Sequence, residues 1–97
     1  MKLVWHNQAR TELRESLIYY RDHANLSIAR DFNAAVMLAA NQLLQFPALG
    51  SQTFHAARRL PLHDYPFSLV YRAKPTEIFI IAVAHHSRRP GYWAGRQ

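Results

Sequence analysis

The chain has 97 residues, of which 49% are hydrophobic and 19% are charged, a balance typical of one globular domain rather than a disordered chain. It contains no cysteine, which excludes disulfides, a thiolate nucleophile and thiolate metal ligands. The longest apolar run, Ile78–Ala84, is about a third of the ~20 residues that span a bilayer. Because the apolar stretch after Lys2 is also too short for a signal-peptide core, a soluble and cytoplasmic protein is expected.

The net charge of +6 is concentrated in the second half of the chain. Residues 1–50 carry five cations against four anions, whereas residues 51–97 carry seven cations against two anions. Ten of the twelve cations are arginines, whose planar guanidinium suits carboxylates and phosphates. The charge therefore indicates an acidic protein or a nucleic acid as partner, with a solvated basic surface as the alternative.

The first half of the sequence predicts one strand and two helices. Leu3–Trp5 is a short apolar strand, and Asn7 is a candidate N-cap for a helix over Gln8–Asp22. After a turn at His23–Asn25, capped by Asn25 or Ser27, apolar residues again recur at three- and four-residue steps. The positions that define this second helix are Ile28, Phe32, Ala35, Val36, Ala39, Leu43 and Phe46. Pro47 and then Gly50 stop it, which indicates an antiparallel helical hairpin.

The second half predicts strands. Ser51–Ala57 is a polar loop, and Arg58–Leu62 is a short strand that Pro61 places at a sheet edge. Phe67–Arg72 and Glu77–His86 are rich in β-branched and aromatic residues, and the connection between them contains Pro75, which indicates a hairpin. The expected fold class is α+β, in the order β-α-α-β-β-β, with an antiparallel sheet packed against the helical hairpin. Residues 1–97 form its single domain.

The end of the last predicted strand holds the candidate functional residues. His85 and His86 are neighbours, so their side chains point to opposite faces of the sheet. His86 is expected to lie with Ser68 on the face away from the helices, and His85 to point inward as a structural residue. No histidine has the spacing of metal ligands, so neither a metal nor a cofactor is expected. Tyr92 and Trp93 could stack on bases, although Trp93 could instead pack back on the sheet. The predicted phosphate- or partner-binding residues are Arg58, Arg59, Arg72, Arg88, Arg89 and Trp93.

Across most of its length the sequence resembles the RelE/ParE superfamily of toxins from bacterial type II toxin–antitoxin systems, and it is closer to the ParE (plasmid stabilisation) branch. The residues that carry the resemblance are Ala9, Leu13, Phe46–Gly50, Arg59-Leu60, Tyr65–Tyr71, Ile80–His85 and Arg88-Arg89-Pro90 with Trp93. The resemblance implies the same strand–helix–helix–three-strand fold.

The superfamily has two mechanisms. RelE-like members cut messenger RNA on the ribosome without a metal, whereas ParE-like members lack the cutting residues and poison DNA gyrase. The resemblance implies that Arg59 and Arg88 keep basic residues of the nuclease branch, that His86 replaces a phosphate-binding arginine, and that Tyr92 keeps its tyrosine base. The cations of that branch are lost at two matching positions, Pro61 and Ser68. Because such cations stabilise the transition state, their loss favours the ParE-like branch.

The leading hypothesis is therefore a ParE-like toxin that inhibits growth through DNA gyrase. A cognate antitoxin, acidic and partly disordered, would neutralise it in a toxin–antitoxin hetero-oligomer. The first alternative is a RelE-like, ribosome-dependent endoribonuclease in which His86 and Tyr92 are catalytic. The second is a non-toxic module that only binds its antitoxin. Whether the chain is an enzyme thus depends on the branch.

Overall fold

The computed structural model describes residues 1–97, and two helices cover one face of a five-stranded sheet. The elements are β1 (Lys2–Trp5), α1 (Asn7–His23), α2 (Leu26–Gln45), β2 (Ser51–Gln52), β3 (Arg58–Pro61), β4 (Phe67–Ala73) and β5 (Glu77–His85). The predicted α+β fold with its helical hairpin is confirmed. The sequence missed β2, because its two residues lie within a polar stretch that has no strand pattern.

The strands lie in the order β1-β5-β4-β3-β2. Four of them form an antiparallel meander, but β1 pairs parallel with the first half of β5, from Lys2 opposite Glu77 to Trp5 opposite Ile80. The sheet is therefore mixed where the sequence predicted an antiparallel one, since three apolar residues in β1 carry no information on the direction of their partner. Pro61 lies beyond the two residues of β3 that pair with β2, so its missing N–H faces no neighbouring strand there.

Side chains cap both helices. His6, not the predicted Asn7, caps α1, because its Nδ1 accepts a hydrogen bond of 3.0 Å from the amide of Gln8. At this N-cap an imidazole nitrogen thus accepts the hydrogen bond that a side-chain oxygen usually accepts. At the start of α2, Asn25 Oδ1 accepts from the amide of Ile28 at 2.8 Å, which confirms Asn25 as the cap.

A β-bulge in β5 determines which side chains reach each face of the sheet. Tyr71 lies opposite Ile80 while Val70 lies opposite Ala82, so Ile81 has no partner residue on β4. One extra residue reverses the alternation of side chains along the rest of the strand. As a result His85 faces the helices, next to Phe67, and His86 faces away from them.

The sheet has an apolar core on each face. The larger core lies between the sheet and the helices, and it is built around Phe32 and Tyr71, both fully buried. The smaller core lies on the opposite face, where residues of β4 and β5 pack with Ala57 and Trp93. The helices leave that face free, and the chain after β5 covers part of it.

The connection after α2 is fixed by one buried hydroxyl. Tyr71 Oη donates to the carbonyl of Pro47 at 2.7 Å and accepts from the amide of Gly50 at 2.9 Å. A Cβ on Gly50 would come within 2.9 Å of both the Arg59 carbonyl and the Tyr71 ring, so only glycine fits between β3 and β4. This contact holds the chain after α2 against β4.

Candidate functional site

The chain after β5 folds as a series of turns, residues 86–97, against the face that the helices leave free. Its anchor is Trp93, which is only 4% exposed and packs in the smaller core. Trp93 was predicted as a phosphate- or partner-binding residue, but as placed its ring is covered by the protein itself. Gly91, with φ of +78°, makes the turn that brings Trp93 inward.

Glu12 of α1 binds this segment through two side chains. Its two oxygens accept a bidentate pair from Arg96 at 2.7 and 2.9 Å, and Oε2 also accepts from the Tyr92 hydroxyl at 2.7 Å. The Glu12 and Arg96 side chains are 12% and 11% exposed. We call Glu12, Tyr92 and Arg96 the C-terminal clasp, since together they join the end of the chain to the first helix.

The C-terminal clasp also covers a free strand edge. Pairing with β1 ends at Ile80, whose carbonyl accepts from the amide of His6. Further along β5, the amide of Val83 donates to Glu12 Oε1 at 3.1 Å and the carbonyl of Ile81 accepts from Arg96 Nη1 at 3.1 Å. At these two backbone groups the ion pair therefore takes the place of a neighbouring strand.

Tyr92 is held in its neutral form. Burial, followed by the hydrogen bond to Glu12, raises the pKa of its phenol well above the ordinary value. The Arg88 guanidinium lies 3.9 Å from the centroid of the Tyr92 ring, in cation–π geometry. A phenol that already donates to a carboxylate and resists ionisation is poorly suited to accept a proton from a substrate.

Ser68 and His86 meet on the face away from the helices. Ser68 is fully buried, and its Oγ lies 2.9 Å from His86 Nε2. Burial and then the nearby charge of Arg59 lower the pKa of His86. The serine is closed to solvent, so a substrate cannot reach its hydroxyl and the pair does not form a serine nucleophile with its base.

His85 has a local structural role. Its ring packs edge-on against Phe67, with centroids 4.9 Å apart, and its Nδ1 is bonded by the amide and hydroxyl of Ser87 at 3.0 and 2.7 Å. These contacts fix the turn that leaves β5. The following arginines are therefore presented from a defined end of the strand.

The five arginines of the predicted basic patch divide into two groups. Arg58 donates to the carbonyl of Gly50 at 2.7 Å, and Arg72 donates to the carbonyls of His55 and Arg96. These two cations are occupied by the protein's own backbone. The side chains of the remaining three donate no hydrogen bond and form no ion pair, and all three residues are exposed. We call these three residues, Arg59, Arg88 and Arg89, the arginine cluster.

The arginine cluster lines a concavity of about 190 Å³. The other lining residues come from β4, the end of β5 and the flanking turns, and they include His86, Phe54 and Tyr92. No aspartate or glutamate contributes to this lining. The concavity is thus a cationic site flanked by aromatic rings, a combination that suits an anionic group.

A larger groove of about 600 Å³ lies on the other side of Tyr92, between α1 and the ends of β4 and β5. Aromatic residues Tyr19, Tyr20 and Phe67 line it together with Glu15. Its charge is mixed, since Arg88 lies at its rim. The C-terminal clasp separates this groove from the concavity of the arginine cluster.

The sequence predicted arginines and histidines around the end of β5, and the structure places Arg59, His86, Arg88 and Arg89 at one concavity there, but Glu12 and Arg96 were not predicted. The only local signal for Glu12 is its position three residues after Ala9, on the inward face of α1. Its partner is 84 residues away. Elsewhere, no cluster of three or more histidine, aspartate or glutamate side chains could hold a metal ion, and neither helix is long and apolar enough to cross a membrane.

Comparison with known proteins adds an independent result. Residues 3–90 match the family model of the ParE toxin of the type II toxin–antitoxin system parDE. Among solved structures, the chain is similar to one from the chromosomal ParDE toxin–antitoxin system of P. aeruginosa, with a TM-score of 0.78 and 24% sequence identity. The match covers 88% of this chain and 95% of that chain, and at this identity it shows a common fold. No curated protein matches the sequence.

Proposed function

Because the chain belongs to the ParE toxin family of type II toxin–antitoxin systems, we propose that it inhibits bacterial growth by acting on DNA gyrase and that a cognate antitoxin neutralises it. The resemblance found in the sequence is confirmed at the level of the family. The single observation that carries the proposal beyond the family is that the surface around the end of β5 offers three free guanidiniums, whereas Tyr92, the expected base, is held by Glu12. Such a site is suited to binding a target rather than cutting one. Gyrase acts in the cytoplasm, where we expect the toxin to work.

The geometry argues against the ribonuclease alternative. Tyr92, its expected base, donates to Glu12 and its pKa is raised. Ser68, at the position of a phosphate-binding cation, is buried against His86. A nuclease of this kind would therefore have to release Tyr92 from the C-terminal clasp before it could act.

Growth inhibition and its molecular cause can be tested together. The chain is induced in a susceptible bacterium, and gyrase-dependent DNA breaks and cleavage of a reporter messenger RNA are followed in parallel. We expect DNA breaks without codon-positioned cuts, and an unchanged effect for the double substitution His86→Ala and Tyr92→Phe. Cuts without DNA breaks, abolished by that double substitution, would favour the ribonuclease. Normal growth would leave a module that only binds its antitoxin.

The arginine cluster is also the surface that we propose for an acidic antitoxin segment. An antitoxin that covers the site used on the target would neutralise the toxin by simple exclusion. Between about 50 and about 500 mM salt, we expect the affinity for the antitoxin to fall at least ~10-fold, because exposed charge pairs are screened over this range. Isothermal titration at three salt concentrations measures it.

A salt-independent affinity would contradict this electrostatic account and point to another surface. Residues 32–57 contain no lysine, arginine, aspartate or glutamate, and three large apolar side chains of this stretch are notably exposed outside the concavity of the arginine cluster. They are Leu38, Phe46 and Leu49. An antitoxin docked there would bind through apolar contacts that salt does not weaken.

A further inference from the structure

Three guanidiniums that line the same concavity have no hydrogen-bond or ion-pair partner in the protein. Arg59 comes from β3, whereas Arg88 and Arg89 come from the turn after β5, so the sheet brings them together across the chain. Arg88 rests on the Tyr92 ring at 3.9 Å, which fixes the direction of its side chain without using its N–H donors. A pre-positioned guanidinium with free donors is the arrangement that binds oxygen anions best.

The protein's own carboxylates cannot supply those anions. Of the six acidic residues, Glu12 is bound by Arg96, and the others lie on the helices, in the turn before β4 or at the start of β5. None of them lines the concavity of the arginine cluster. The unpaired positive charge is therefore a property of this face, and it contrasts with residues 1–50, where cations and anions nearly balance.

The site also has the apolar flank that a nucleotide chain uses. Phe54 is 55% exposed and lines the same concavity. Its ring lies beside Gly91, since a Cβ added to that glycine would be 3.7 Å from the ring. Exposed aromatic rings next to arginines are a common feature of surfaces that follow a nucleic-acid backbone.

We infer that the arginine cluster binds the phosphodiester backbone of nucleic acid, with Arg59, Arg88 and Arg89 each contacting phosphate oxygens. This deepens the proposed function and rests on it for the setting, since gyrase works on DNA. Binding to the backbone would be independent of sequence, because phosphate contacts carry no base information. Each neutralised phosphate releases counterions, so the number of contacts can be read from the salt dependence.

The test is fluorescence anisotropy of the full chain with a labelled DNA duplex of about 20 base pairs, and with an RNA strand of about the same length, over a salt series. Three phosphate contacts predict that the affinity for duplex falls about 40-fold between ~50 and ~200 mM salt. The variant with Arg59→Gln, Arg88→Gln and Arg89→Gln is expected to lose nearly all of this salt dependence. The matched control carries Arg10→Gln, Arg14→Gln and Arg30→Gln, three exposed helix arginines outside the site, and thus has the same net charge.

Each result decides the inference. Loss of salt-dependent binding in the cluster variant alone supports it, and tighter binding of the RNA strand would assign the phosphodiester to RNA instead of DNA. Equal loss in both variants would overturn it, because only net charge would then matter. Absence of binding, or tighter binding of a polyglutamate peptide than of duplex, would also overturn it and leave an acidic protein as the ligand. Since no gyrase is present in this assay, such a failure would leave the proposed toxin activity standing.

Discussion

Replacing Glu12 with alanine is expected to lower the free energy of unfolding by about 3–5 kcal/mol, the range for removing one partner of a buried ion pair. The substitution leaves the Arg96 guanidinium in a site that is 11% exposed, without the two hydrogen bonds that now neutralise it. It also leaves the Tyr92 hydroxyl and the amide of Val83 without their acceptor. Urea denaturation followed by circular dichroism measures the change.

Glu15→Ala is the matched control, because Glu15 is an exposed glutamate on the same helix and forms no ion pair. We expect it to change the free energy of unfolding by no more than about 0.5 kcal/mol. The double substitution Glu12→Leu and Arg96→Leu should cost less than Glu12→Ala alone, since no charge remains buried. If Glu12→Ala and Glu15→Ala have the same small effect, the C-terminal clasp does not hold the chain end.

Tyr71→Phe is expected to lower the free energy of unfolding by about 2–3 kcal/mol, although it removes a single oxygen atom. The hydroxyl both donates to the Pro47 carbonyl and accepts from the Gly50 amide, so its loss leaves two backbone groups without a partner. Phenylalanine fills nearly the same volume, so the ring should keep its place in the core and the cost comes from the polar groups. The same denaturation experiment measures it.

Tyr19→Phe makes the same chemical change at a tyrosine that is 58% exposed. We expect this substitution to change the free energy of unfolding by no more than about 0.5 kcal/mol. If the two substitutions cost the same, the Tyr71 hydroxyl is not what fixes the connection after α2. In the expected case, Tyr71→Phe should also loosen the pairing of β2 with β3, because Gly50 directly precedes β2.

The sequence predicted the elements whose pattern is local. The β-branched run in β5 and the apolar repeat of α2 each specify one structure over many residues, which is why both were found with nearly correct ends. Asn25 was one of the two caps predicted for α2, because an asparagine directly before an apolar helix is a strong signal. His6 was missed as a cap, since histidine is a less usual cap than the asparagine beside it.

The features that the sequence could not reveal depend on distant parts of the chain. The bulge at Ile81 lies in a run that is buried on both faces, so no break in alternation marks it. Glu12 and Arg96 are 84 residues apart, and no local sequence pattern around either residue indicates that the two pair. The same reason explains why Arg58 and Arg59, neighbours in the sequence, take different roles. Arg58 donates to the backbone after α2, whereas the Arg59 side chain is free.

The structure links stability to the proposed function through the last segment of the chain. The C-terminal clasp and Trp93 fix residues 86–97 on the sheet, and two members of the arginine cluster belong to that segment. The cluster is thus presented by contacts that lie outside it. A variant that breaks the ion pair between Glu12 and Arg96 should lose target binding together with stability, whereas substitutions within the cluster should affect binding alone.

The most direct test is to add the purified chain to purified DNA gyrase with relaxed plasmid and to measure negative supercoiling and double-strand cleavage. We expect inhibition with trapped cleavage by the unsubstituted chain and by the Arg10, Arg14 and Arg30 control, and none by the arginine-cluster variant. Addition of the antitoxin should restore supercoiling. If the folded, unsubstituted chain leaves gyrase unaffected even in molar excess, the proposal that this toxin acts on gyrase is wrong.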